Sequence, residues 1–344
     1  MNTLSPSQSS NRFDFLRLLF ASGVLVFHAI VLANLWPGTQ VERTLAILAE
    51  LSIQGFFIIS GALVYGSYLN SKSVGDYFGK RIRRLYPAYV AIILIPALIS
   101  LLISGQFSQV LKYVGANLAF LNFLEPNLPG LFDGHKHNEV NGALWTLKIE
   151  VMFYVALPIL GWMLVKFGKM KWALLAMIYV AAELWRSLIP NLESPYAAQI
   201  ARQLPGQMSF FAVGIGLWIL RHKAQQNAVK LGLIGFALLL ISFLPNLEFT
   251  RPLALGAFVA GVAYASGPSL NAARWGDISY GVYITHFPII NALIALGVFT
   301  LNPTLGFIAV GVLVVIASLL LWRFVERPFL RKDSHYRRSE AEKP

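Results

Sequence analysis

The sequence predicts an all-α integral membrane protein, a bundle of about ten transmembrane helices with both termini in the cytosol. Of its 344 residues, 56% are hydrophobic and only 13% are charged, and the mean hydropathy is +0.61. A water-soluble globule carries roughly a quarter charged residues, so this chain has too little polar surface to cover one. The lengths of the apolar segments and the positions of Lys and Arg support the same fold class.

Ten apolar segments approach the roughly 20 residues that a helix needs to cross a bilayer core of about 30 Å. Two prolines, Pro245 and Pro252, separate the seventh from the eighth, which makes this pair the least distinct. The segments run approximately over residues 16–36, 45–69, 85–104, 144–165, 172–188, 205–220, 229–244, 252–266, 278–299 and 305–324.

Lys and Arg concentrate in alternate connections between these segments, and the densest run is 80–84. Cytosolic connections of membrane proteins carry the excess of positive charge, so this run and both termini are assigned to the cytosol. The net charge of +12 therefore suits the headgroups of a lipid bilayer and does not call for a nucleic acid. We expect one transmembrane domain over residues 1–330 and a short basic cytosolic tail over 331–344, in the inner (cytoplasmic) membrane.

The longest outer connection, 105–143, is expected to cap part of the outer face. Its residues Asp133, His135, His137 and Glu139 are metal-ligand types, but they occupy a loop without a ligand-presenting helix. We therefore predict a solvated polar tip there and no metal. Cysteine is absent, which excludes disulfides, thiol nucleophiles and thiolate metal sites.

Two ionisable residues in the membrane are predicted at similar depths. His28 precedes Trp36, at the outer end of the first helix, by eight residues, which places it about 12 Å below the outer face. Glu150 follows Trp145 by five residues and lies about 8 Å deep. A carboxylate beside a neutral imidazole is the arrangement of a general base, so we predict that Glu150 orients His28. Alternatively, His28 only hydrogen-bonds a neighbouring helix.

Arginines mark the cytosolic side. Arg81 and Arg84 are three residues apart on one helix face, a spacing that suits a phosphate or pyrophosphate, although ordinary anchoring at the membrane surface gives the same pattern. Arg17, taken alone, is better explained as an interfacial anchor. His286 lies about 12 Å in from the cytosolic end of the ninth helix, where it lines a central channel or is a hydrogen-bonded core residue.

These residues belong to motifs that occur in a fixed order. They are RFDFLRLLFASGVLVFHA with Arg17 and His28, GFFIISGALV, RIRRLYPAY, VNGALWTLKIEVMFY (Val140 to Tyr154), SYGVYITHFP (Ser279 to Pro288) and VERPF. In these motifs the chain resembles the acyltransferase-3 family of integral membrane acyltransferases, which O-acetylate surface glycans. The resemblance spans nearly all ten predicted helices. It implies that His28 is the catalytic base with Arg17 as its motif partner, that Arg81 and Arg84 bind acyl-CoA, and that Trp145 and Glu150 belong to a W-[ST]-L-x-x-E motif.

The sequence therefore predicts a membrane O-acyltransferase that moves an acetyl group from cytosolic acetyl-CoA to a hydroxyl of an extracytoplasmic or lipid-linked glycan. Direct transfer and an acyl-histidine relay both fit the same residues. The alternative is a transporter or flippase for an acylated or lipid-linked sugar. The expected roles are catalysis by His28 and Glu150, donor binding by Arg81, Arg84, Arg17 and His286, and acceptor binding by Asn141, Trp145 and Tyr154.

Overall fold

The computed structural model describes residues 12–266, 270, 272, 276–332, 334 and 337, and in these residues the regular structure is entirely helical. Most of the predicted basic tail, 331–344, lies outside them. The α-helices are α1 (Phe13–Leu32), α2 (Gln40–Leu69), α3 (Val74–Ser104), α4 (Phe107–Leu118), α5 (Trp145–Lys166), α6 (Lys171–Leu188), α7 (Ala197–Ala201), α8 (Leu204–Ile219), α9 (Arg221–Gln226), α10 (Ala228–Ile241), α11 (Arg251–Tyr264), α12 (Ser279–Ala295), α13 (Val298–Leu301), α14 (Pro303–Leu320) and α15 (Arg327–Phe329). A π-helical turn, Leu321–Glu326, joins the last two.

Each of the ten predicted apolar segments falls on one of these helices, which confirms the all-helical class. Within the described residues, six helices are long and apolar enough to cross a membrane, namely α1, α2, α3, α5, α6 and α14, three of which gain a turn from adjoining 3₁₀ or π-helical residues. The helices α8, α10, α11 and α12 are shorter, at 14 to 17 residues. The count of ten spans and the cytosolic termini stay predictions.

Helix boundaries follow local chemistry. Asn302 caps α14 because its Oδ1 accepts the N–H groups of Thr304 and Leu305 at 2.8 and 3.2 Å, and Pro303 occupies the first turn, where no N–H is needed. The earlier helix α12 ends before Gly297, whose φ of +71° is the left-handed conformation that glycine adopts after a helix.

The long connection 105–143, expected to be a loop, contains α4. Its buried residues Val110, Tyr113 and Asn117 share one helix face, because they are three and four residues apart. The connection is tied to α3 by Tyr89, whose hydroxyl donates to the Asn117 carbonyl at 2.8 Å and accepts from Asn122 Nδ2 at 3.0 Å. A helix of twelve residues is too short to be recognised as a membrane span, so the search for long apolar segments missed it.

Two compact units interleave along the chain. One comprises the described residues among 1–17, 53–77 and 149–271, and the other those among 18–52, 78–148 and 272–344. In the first unit, the rings of Phe153 and Phe211 stack at 3.9 Å between centroids. In the second, α12 runs against α14, where a Cβ on Gly281 would lie 2.8 Å from the backbone of Ser318. The prediction of a single domain over 1–330 stays a prediction.

A glycine contact in the first unit holds α2 against α8, and it gives a stability test. A Cβ on Gly214 would meet the Ile58 carbonyl oxygen at 2.1 Å, so Gly214→Ala must separate the two helices. We expect the substitution to lower the free energy of unfolding by about 1–3 kcal/mol, seen as a lower thermal midpoint in detergent.

Gly311→Ala in α14 is the matched control, because a Cβ there would meet nothing within 4 Å. Equal midpoints for the two variants would contradict close packing at Gly214.

Candidate active site

The centre of the second unit is a pair of histidines. His28 of α1 and His286 of α12 face each other with Nδ1 of His28 3.0 Å from Nε2 of His286, and their rings stack at 5.0 Å between centroids. His286 is completely buried, whereas His28 is half-buried. The ring of Phe287 packs edge-on against His28 at 5.3 Å. The sequence placed His286 among the donor-binding candidates, and the structure makes it the partner of His28.

The hydrogen bonds of His286 define the tautomers of both rings. Its Nδ1 lies 3.1 Å from the carbonyl oxygen of Val282, which can only accept, so Nδ1 of His286 carries the proton. With both rings neutral, Nε2 of His286 then accepts from Nδ1–H of His28. This leaves Nε2 of His28 as the nitrogen with the free lone pair, which is the atom a general base uses.

Pro288 explains how Asn141 is placed beside this pair. Proline has no N–H, so the carbonyl of Ile284, four residues earlier in α12, loses its helical hydrogen bond. Nδ2 of Asn141 donates to that carbonyl at 2.8 Å, while Oδ1 of Asn141 accepts the Ala143 N–H at 3.3 Å and caps the 3₁₀ turn leading into α5. Asn141, predicted to bind the acceptor, thus has hydrogen bonds within the protein at both ends of its amide.

The W-[ST]-L-x-x-E motif contacts α12 at Tyr283, the residue before Ile284. The Thr146 and Tyr283 hydroxyls are 2.7 Å apart and share a hydrogen bond. Trp145 begins α5 and is half-buried. Its predicted contact with the acceptor stays a prediction.

Glu150 lies in the first unit, where two hydroxyls bind its carboxylate. Ser60 Oγ donates to Oε1 at 2.8 Å and Tyr154 Oη donates to the same oxygen at 2.5 Å. Both of these bonds leave the second oxygen, Oε2, unused. Tyr154 is itself buried, and its predicted role in acceptor binding stays a prediction.

Another proline positions Tyr154. Pro158 frees the carbonyl of Tyr154 in α5, and the hydroxyl of Tyr77 donates to it at 3.1 Å. Tyr68 donates to the carbonyl of Pro158 itself at 3.2 Å. The backbone that carries the Glu150-binding hydroxyl is therefore held by two tyrosines.

The predicted pairing of His28 with Glu150 joins residues of different compact units and stays a prediction. Sequence reasoning missed the His28–His286 pair, although a signal was present. His28 is predicted about 12 Å below the outer face and His286 about 12 Å from the cytosolic end of its helix. In a core of about 30 Å, the two rings are then within about 6 Å of each other along the membrane normal.

Arg81 and Arg84, predicted together to bind a phosphate, lie in two different environments. Arg84 is buried, donates to the carboxylates of Asp277 and Glu326, and lies 5.3 Å from the centre of the Tyr280 ring. Arg81 is half-buried. The role of both in donor binding stays a prediction, but the terminal nitrogens of Arg84 already hold two carboxylates, which the sequence analysis did not anticipate.

The remaining predicted residues are located more simply. Arg17 is half-buried in the first half of α1, and its donor role stays a prediction. In the part of the chain that the structure describes, no group of three or more His, Cys, Asp or Glu is arranged to hold a metal ion.

A chain of apolar helices that pairs two imidazoles and holds a carboxylate by two hydroxyls carries groups suited to acyl transfer in a membrane. The chain belongs to the Acyl_transf_3 family, whose model, described as an acyltransferase domain, matches residues 10–323. This confirms the resemblance and favours the enzyme over a transporter.

Two curated relatives match nearly the whole chain. Nodulation protein 10 of Rhizobium leguminosarum bv. viciae is 28% identical over 354 residues, covering 93% of each protein. An O-acetyl transferase of Shigella phage Sf6 is 26% identical over 343 residues, covering 94% of this chain and 97% of the relative. No solved structure matches the chain significantly.

The link between Asn141 and Pro288 gives a double-mutant test. Asn141→Ala leaves the Ile284 carbonyl without its donor, and we expect a loss of about 1–3 kcal/mol in the free energy of unfolding. Pro288→Ala restores the helical N–H to that carbonyl. In that background, Asn141→Ala should therefore lower the free energy of unfolding by less. Thermal unfolding of all four proteins measures the coupling. Equal losses in both backgrounds would contradict the assigned hydrogen bond.

Proposed function

We propose that this acyltransferase moves an acetyl group from cytosolic acetyl-CoA to a hydroxyl of an extracytoplasmic or lipid-linked glycan, and that it acts in the cytoplasmic membrane. The observation that carries the proposal is the 3.0 Å contact between Nδ1 of His28 and Nε2 of His286, from which we infer that Nε2 of His28 can take a proton. The similarity to a phage O-acetyl transferase supports acetyl as the acyl group and a hydroxyl as its acceptor.

In direct transfer, Nε2 of His28 takes the proton of the acceptor hydroxyl while the hydroxyl oxygen forms a bond to the thioester carbonyl carbon. The tetrahedral intermediate collapses, the carbon–sulfur bond breaks, and the CoA thiolate leaves and takes the proton from His28. His286 stabilises the imidazolium of His28 through the hydrogen bond from Nδ1–H. An acyl-histidine relay would use the same nitrogen as the nucleophile.

Glu150 receives a revised role in this scheme. Because His286 already accepts from Nδ1 of His28, the ring has an orienting partner, and a carboxylate bound at Nε2 would compete with the acceptor hydroxyl. We assign Glu150 to the acceptor, with Oε2 accepting a hydrogen bond from a hydroxyl of the glycan. Ser60 and Tyr154 hold Oε1 and fix the direction of Oε2.

The donor is assigned to the cytosolic side. Arg81 contacts the CoA phosphates, because guanidinium groups bind phosphate with paired donors. Arg84 contributes by position, since its ion pairs with Asp277 and Glu326 connect α3 with the segment that leads into α12 and with the π-helical turn. An extended pantetheine arm spans about 15–20 Å, which is enough to bring the thioester from the cytosolic surface to mid-membrane.

The roles of the two histidines are tested by substitution. We expect His28→Ala to lower acetyl transfer by about 10²–10⁴-fold, because it removes the base. His286→Leu should also lower transfer, because Nδ1 of His28 loses its side-chain acceptor. In His286→Gln the amide oxygen can accept from Nδ1–H, so this variant should recover part of the activity.

Transfer from radiolabelled acetyl-CoA to host polysaccharide measures these rates, and exposed His222→Ala is the control. Full activity of His286→Leu, or equal losses in the Leu and Gln variants, would contradict the orienting role.

Donor binding is tested with Arg81→Ala. We expect the Kd for acetyl-CoA to rise about tenfold or more, because a charged hydrogen-bonding group to phosphate is removed. Calorimetric titration of the purified protein measures the Kd, and Arg83→Ala, on the exposed side of the same turn, is the matched control. An unchanged Kd would remove Arg81 from the donor site.

A further inference from the structure

A cavity lies in the first unit, and none of the residues assigned to catalysis lines it. It has a volume of about 590 Å³, within the range of small-molecule sites, and it opens between α6 and the segment that leads into α11. Its lining includes Tyr179, Glu183, Arg186, Asn246, Glu248 and Arg251.

Three of the four charged groups of this cavity are held in place by the protein. Glu183 and Arg186, one turn apart on α6, form an ion pair at 3.1 Å, and both side chains are largely buried. Arg251 lies 4.8 Å from the centre of the Phe243 ring, and one of its N–H groups reaches the Ser242 carbonyl at 3.4 Å. Charged side chains that only reached toward the membrane surface would not need such partners.

The opposite wall is held to α6 by its backbone. The hydroxyl of Tyr179 donates to the carbonyl of Phe249, which joins the 3₁₀ turn Glu248–Thr250 to the helix. Asn246 adopts a left-handed φ of +63° at the start of this wall, a conformation that asparagine tolerates better than most residues. The ring of Phe249 is 53% exposed at the rim.

The chemistry of the lining favours a neutral polyhydroxylated ligand. The two carboxylates balance the two guanidinium groups, so the four carry no net charge to attract an anion. Carboxylates accept and guanidinium groups donate, and together with the Asn246 amide they offer both kinds of partner to a row of hydroxyls. An exposed aromatic ring supplies a flat apolar surface for the C–H face of a sugar.

The location agrees with the acceptor side of the reaction. Under the predicted topology, α6 leaves the membrane and α11 enters it at the outer face, where the glycan approaches. We propose that this cavity binds a neutral stretch of the acceptor glycan and so selects the polymer that is acetylated. This inference rests on the proposed function.

The test uses the full-length protein in nanodiscs. The probe is an oligosaccharide released from the host's surface polysaccharide and stripped of O-acyl groups with alkali, and binding is measured by calorimetry without an acyl donor. We expect Glu248→Gln and Phe249→Ala each to raise the Kd about tenfold. Asn246→Gly, which removes the amide but keeps a permitted backbone, should also weaken binding.

Glu193→Gln, an exposed carboxylate outside the cavity, is the matched control and should keep the wild-type Kd. The same variants should raise the KM for the oligosaccharide and leave the KM for acetyl-CoA unchanged. Absence of wild-type binding, or an unchanged Kd in all three cavity variants, would overturn the proposal. A different outcome is that the three variants weaken binding of the protein to phosphatidylglycerol vesicles and leave oligosaccharide binding unchanged. That result would identify a lipid site and overturn the proposal as well.

The two proposals fail separately. If the oligosaccharide binds and the cavity variants weaken it, but no acetyl group is transferred, the glycan site stands and the acyltransfer reaction falls. If transfer occurs and the cavity variants keep the wild-type KM, the reaction stands and the glycan site falls.

Discussion

The hydrogen bond between His28 and His286 is the constraint on which the candidate chemistry depends. A histidine that donates from Nδ1 keeps its lone pair on Nε2, and only an acceptor held opposite Nδ1 enforces this arrangement. His286 can be that acceptor because its own Nδ1 proton is bound to the carbonyl of Val282. The Val282 carbonyl of α12 therefore favours, through two imidazole rings, Nε2 of His28 as the base.

Prolines within helices organise both compact units in the same way. Pro288 frees the carbonyl that binds Asn141, and Pro158 frees the carbonyl that binds Tyr77. In a membrane, a carbonyl that lost its helical partner would be expensive to leave without another, and at Pro288 and Pro158 a polar side chain from a separate segment supplies one. Several motifs that are far apart in the sequence thus meet as donor and acceptor, and this physical link explains why they occur together.

The sequence was sufficient for the helical class, for the positions of the apolar segments and for His28 and Glu150 as candidates, because hydropathy and buried charge are local properties. The sequence was insufficient to predict which side chains contact these residues. Counting residues along a helix gives depth but not the direction in which a side chain points, so His286 and the ion pairs of Arg84 could not be assigned. The short helix α4 was missed because twelve residues are too few to be recognised as a membrane span.

The tautomer of His28 can be measured directly. Solid-state NMR of the protein in nanodiscs, with isotope-labelled histidine and a His28→Gln sample for assignment, distinguishes the two ring nitrogens. At neutral pH the account predicts a proton on Nδ1 of His28, coupled across the hydrogen bond to Nε2 of His286, and no proton on Nε2 of His28. A proton on Nε2 of His28, or the absence of that coupling, would contradict it.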